Sequence, residues 1–151
     1  MSRPPTPALL LASAASLSLL AGCETMADVA NDSAYEAALT GAAEVPGPGD
    51  PDGMGNAEVT FDWVSGNMCY EMDVANIGQP TAAHIHRGGP GVAGPPVVTL
   101  EVPDIGDNDN SECQDVSAAI RDEIRGSPSN FYVNVHNDEY PAGAIRGQLR
   151  P

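Results

Sequence analysis

The chain has 151 residues, with 21 acidic side chains against six basic ones and a formal net charge of −15. That length fits one ordinary domain. The six basic residues are all arginines, and so acidic a surface repels phosphates and anionic headgroups, which excludes nucleic-acid binding and leaves solubility in a salty medium or attraction of cations.

Residues 1–22 read as a secretory signal peptide. Arg3 and the amino terminus supply the positive start, and Ala8–Leu20 is a short apolar core. The core is too short to span a bilayer comfortably, and the polar stretch Glu24–Ser33 does not continue it. It ends in Leu20-Ala21-Gly22-Cys23, which resembles the lipobox of bacterial lipoproteins. That resemblance implies cleavage before Cys23 and a diacylglycerol on its sulfur, so the membrane partner would be reached through lipid. Residues 23–34 are then a lipidated terminus and polar tether, ahead of a domain at residues 35–150. Glu24, where aspartate favours inner-membrane retention, points to the outer membrane or a periplasm-facing position. The processed chain would keep five arginines against 21 acidic residues, 5 − 21 = −16.

Tyr35–Leu39 is a short first strand. Gly41–Gly55 is rich in proline and glycine, which excludes helix and central strand. In Asn56–Val64, Ala57, Val59, Phe61 and Trp63 alternate with polar residues, the period of a half-buried strand. Ser65–Asn67 turns the chain. The return strand places Met68, Tyr70, Met72 and Val74 on one face and Cys69, Glu71 and Asp73 on the other. Thr81–His86 is a strand, Arg87–Pro96 a loop, and Val97–Val102 a strand with Val98, Leu100 and Val102 on one side. Pro103–Cys113 reads as an acidic loop. Asp115–Gly126 is the one helix, with Val116, Ile120 and Ile124 at four-residue spacing and Gly126 as its stop. Asn130–Asn137 and Ala144–Leu149 are the last strands, with Phe131, Val133, Val135, Ile145 and Leu149 inward. Short strands between Gly, Pro, Asn and Asp turns predict an all-β, antiparallel sandwich or partly closed barrel with one short helix.

Three stretches occur in order: "LTGAAEVPGPG", "TAAHIHRGGPGVAGPPVV" and "FYVNVHN…YPAGAIRGQL". Together they resemble the CHRD domain, first named from chordin and widespread in exported bacterial proteins. The resemblance covers about Tyr35 to Leu149. It implies a β-rich extracellular binding or structural module without catalysis. Arg87 stands where the family usually has a small residue, Ala144 where glutamate is common, and "HNDEYPAG" lacks the usual threonine after the histidine.

Two side-chain groupings carry chemistry. Cys69 and Cys113 are an even pair in an exported chain once Cys23 goes to lipid, so a disulfide is expected, with free thiols or metal ligation as alternatives. His84, His86 and His136 all fall out of phase with Ile85, Val133 and Val135, and so share the non-core face. Asn134, Arg146 and Gln148 fall on that face too. If the three strands are neighbours, the imidazoles can form three corners of a copper or zinc site. Alternatively they belong to a hydrogen-bonded polar patch. Arg146 speaks against a cation and suits an anion or a carboxylate of a partner or of this chain. Asp107–Glu112 has alternating oxygen ligands but lacks the glycine turn and closing acid of a calcium loop, and reads as solvated. Ser65, Ser111, Ser117, Ser127 and Ser129 are assigned to turns or the helix, and no catalytic residue is identified.

Overall fold

The computed structural model describes residues 1, 32–105 and 110–151. Residues 2–31, which hold nearly all of the expected signal peptide, Cys23 and most of the expected tether, lie outside the described residues.

Eight strands form one antiparallel sheet: β1 (Asp32–Thr40), β2 (Met54–Asp62), β3 (Asn67–Ala75), β4 (Pro80–Arg87), β5 (Pro96–Leu100), β6 (Ser111–Asp115), β7 (Phe131–Asn137) and β8 (Ile145–Gln148). Their spatial order is β5-β4-β7-β8-β1-β2-β3-β6. The sheet curls until its two edge strands approach. Gln114 on β6 donates from Nε2 to the Thr99 carbonyl on β5 at 2.9 Å, and Glu101 N donates to the Tyr70 hydroxyl at 2.7 Å. These side-chain bonds span a seam that no ladder closes, so the architecture is a half-barrel, the partly closed form expected.

The concave side holds the core. Val59, Phe61, Met68, Ile85, Val133, Val135 and Ile145 are fully buried there. Each large aliphatic or aromatic side chain so buried contributes about 1.5–3 kcal/mol. Strict alternation on β2, β3 and β4 does this, because a one-residue slip would turn every one of these side chains outward. The helix α1 (Ala118–Gly126) packs its apolar side against the core. Ser117 caps it by accepting from Ile120 N, Ile124 is buried, and Val116 and Ile120 pack against the core.

Three expectations need correction, the first being that β2, a central strand, already begins at Met54 inside the Gly41–Gly55 stretch read as excluding one. Pro103–Cys113 is not all loop: β6 begins at Ser111 and pairs with β3, Cys69 facing Cys113. Ser111 and Glu112 of the acidic run, and Gln114 and Asp115 beyond Cys113, therefore belong to a strand. The helix consequently starts at Ala118, since Asp115 is held opposite Asn67. Among the described residues, no helix is long and apolar enough to cross a membrane.

Cys69 and Cys113 are joined by a disulfide, with a Cα–Cα distance of 4.0 Å. The bridge links directly opposed residues and fixes β6, whose side chains are mostly exposed, to the rest of the sheet.

Candidate metal and polar site

The outer face of β4, β7 and β8 is only partly open to solvent. On β7 every residue but His136 is buried, including the out-of-phase Tyr132 and Asn134. The loop from Gly88 to Gly94 folds over this face, and the loop after β1 brings Glu44 onto it. The outward patch expected from alternation is therefore a covered polar layer, because both loops need hydrogen-bond partners beneath them.

Register places the histidines. Ala82 faces His136, His84 faces Asn134 and His86 faces Tyr132 across β4 and β7. His84 and His136 are diagonal neighbours, with ring centroids 5.3 Å apart, and His84 and His86 are 5.4 Å apart. One ligand nitrogen from each ring lies within 4.8 Å of the others. The structure thus brings together the three imidazoles that alternation put on one face.

Backbone carbonyls orient two of the rings. His86 Nδ1 donates to Gly94 O at 2.8 Å, and His136 Nδ1 donates to Pro141 O at 3.2 Å. A carbonyl can only accept, so each neutral ring keeps its lone pair on Nε2. Orientation of this kind, by a carbonyl on the far ring nitrogen, is how metal-binding imidazoles are usually held. His86 Nε2 is buried and has no hydrogen-bond partner. Gly94 is required where it stands, because a Cβ there would collide with the Arg87 carbonyl.

His84 Nδ1 and His136 Nε2 are 3.3 Å apart. Two nitrogens bound to one tetrahedral ion at about 2.0–2.1 Å stand about 3.3–3.4 Å apart, so this pair already has the spacing of two ligands. The full 4.8 Å spread is wider than one ion can span, and the third ring must close by on the order of 1 Å. All three imidazoles are held below the usual histidine range. Burial is the main cause for each, and His86 is further opposed by His84, His136 and Arg146. They are therefore neutral near pH 7, the form that binds a metal.

Beside the histidines lies a second group. Tyr132 stacks on His86, with centroids 4.8 Å apart and planes 11° apart. The Arg146 guanidinium lies 3.4 Å from the Tyr132 ring centre. β7 runs between β4 and β8, so Tyr132 separates the imidazole from the guanidinium. The Tyr132 hydroxyl pairs with Gly94, the residue that orients His86. Arg146 Nη2 donates to Gly89 O, Val92 O and Gln148 Oε1, each at 3.0 Å. Gln148 Nε2 in turn donates to the Gly88, Ser129 and Phe131 carbonyls. Arg146 and Gln148 are thus the anchors of the Gly88–Gly94 loop. Asn134 Nδ2 donates to Glu44 Oε1 and to Ile145 O.

A model of the CHRD domain family matches residues 35–149. The chain belongs to the CHRD domain family. No curated protein and no solved structure matches it. The CHRD match takes in every residue of this polar layer, and the family points to a binding or structural module.

Glu44 and Tyr132 were not singled out by sequence. Tyr132 carried a usable signal, since it falls in phase with Asn134 and His136 on "FYVNVH". Glu44 carried none, because its loop has no period. Burial lifts the Glu44 carboxyl to about 7, against the pull of Arg146, Asn134 and the Val45 amide.

Proposed function

We propose that this CHRD domain is a non-catalytic extracytoplasmic binding module, tethered through a lipid on Cys23, whose His84–His86–His136 cluster takes copper or zinc. The convergence of three ligand nitrogens within 4.8 Å carries the metal reading. The unpartnered Nε2 of His86 and the carbonyls behind His86 and His136 support it. Imidazole suits both ions. The anchor rests on the sequence at Leu20–Cys23 alone.

The test is titration of the exported protein, carrying Cys23→Ser to keep it in solution, with copper(II) and with zinc in a calorimeter at pH 7.5. One ion per chain, lost in His86→Ala, is the expected result. No binding of either ion leaves the histidines as struts for the two covering loops.

A further inference from the structure

A cavity of about 480 Å³ opens on the outer side of β1 and β8, away from the histidines. Its walls include Thr40, Ala42, Glu44, Gly91, Arg146 and Arg150. Two of the six basic residues of a chain with net charge −15 meet there. Arg146 is 1 % exposed, and while its Nη2 has three acceptors its Nη1 is buried without any partner. Burying a guanidinium nitrogen unpaired is costly unless something supplies an acceptor. Glu44 stands close enough to feel the Arg146 charge, yet it makes no ion pair with it among the described residues. Arg150 is exposed and likewise has no ion pair there.

We propose that this cleft binds a small monocarboxylate, with Arg146 and Arg150 as its charge partners. Arg146 Nη1 is left to donate to one carboxylate oxygen, and the planar fork of the exposed Arg150 matches two. Ala42, Gly91 and Gly147 leave short walls that suit a small ligand. A singly charged ligand is favoured over phosphate, because the acidic protein as a whole repels a dianion more strongly. Glu44 also faces the cleft, with Arg146 on β8 and Asn134 on β7 packed against it. Lifted to about 7, it is largely neutral at pH 6 and can then donate to a ligand oxygen instead of repelling it. The site is separate from the histidine cluster, since the Tyr132 ring stands between His86 and Arg146.

The experiment uses the exported protein with Cys23→Ser, labelled with nitrogen-15 and titrated with sodium acetate at pH 6. Sodium chloride at matched ionic strength is the control, because exposed charges are screened by any salt. The expected result is saturable movement of the Thr40, Gly91 and Gly147 amides with acetate and not with chloride. In Arg150→Gln, which changes an exposed residue and leaves the fold standing, binding should weaken at least tenfold. Arg146→Gln should abolish it if that variant folds. Movement that is linear and equal for both salts overturns the proposal, and so does saturable binding unchanged in Arg150→Gln. Phosphate that binds more tightly than acetate overturns the carboxylate assignment.

Discussion

His84 Nδ1 stands 3.3 Å from His136 Nε2, across a diagonal between β4 and β7. Without a metal, the His84 N–H donates to the His136 lone pair. With one, both nitrogens would turn lone pairs toward the ion at almost the same separation. Metal and proton thus compete for one gap. Lowering the pH should release the ion, and the depressed imidazoles shift that release below the free-histidine value of about 6.5. His136→Ala or His86→Ala should weaken binding by at least about a hundredfold, more than loss of an outer-shell partner does. Calorimetry between pH 5 and 8 measures both. A metal present at a hundred times its dissociation constant should stabilise the fold by about 2.7 kcal/mol, read as a raised melting temperature.

The disulfide should matter chiefly to β6. It closes a separation of 44 residues, for which the chain-entropy relation gives about 4 kcal/mol. β6 itself adds little apolar burial to hold it in place, since its side chains are mostly exposed. Cys69→Ser with Cys113→Ser should lower stability by about 2–4 kcal/mol in urea titration. Amide exchange should rise first at Ser111–Asp115 and at Asn67–Glu71. Peptide mapping without reductant should recover one linked pair, whereas two alkylated thiols would disprove the bridge in the native protein.

What alternation can specify, the sequence disclosed. Val59, Ile85, Val133 and Ile145 lie where period two places them, and the same period put all three histidines opposite them. β6 was hidden because "SECQD" buries almost nothing and has no apolar phase. Its pairing is set by Cys69, a residue 44 positions earlier. The covered state of Asn134 and Arg146 was hidden for a related reason. It depends on loops from Gly41 and Gly88 returning over the sheet, and loop paths leave no periodic trace. Neighbourhood was legible, then, wherever it followed from a strand's own pattern, and illegible wherever distant segments supplied it.

Cys23→Ser tests the anchor independently of the fold. The expected outcome is a chain that stays unprocessed or leaves the membrane fraction, with mass spectrometry of the wild-type terminus showing the added acyl chains. Unchanged mass and partitioning would remove the lipid from the account. Two acyl chains are needed for stable attachment, so a partly acylated product should dissociate.

Glu44 should make stability fall as pH rises. Its carboxyl goes from 4.5 to about 7 on folding, so between those values the folded chain holds a proton that the unfolded chain has lost. The contribution is fully present below about pH 4.5 and is lost as pH climbs through 7. The full shift corresponds to at most about 3 kcal/mol. The histidines act in the opposite sense: their depressed values make folding release protons, so their contribution is present above about 6.5 and is lost as pH falls. Comparison with Glu44→Gln separates the two, since the amide can still accept from Asn134 Nδ2 but cannot titrate, and the histidine contribution is common to both proteins. Urea titrations at pH 4.5, 6 and 8 should show wild type losing up to about 3 kcal/mol relative to Glu44→Gln across that range, most of it between pH 5 and 7. A constant difference between the two proteins would mean that the Arg146 charge already holds Glu44 ionised, and the carboxyl would then be a fixed counter-charge rather than a titrating group.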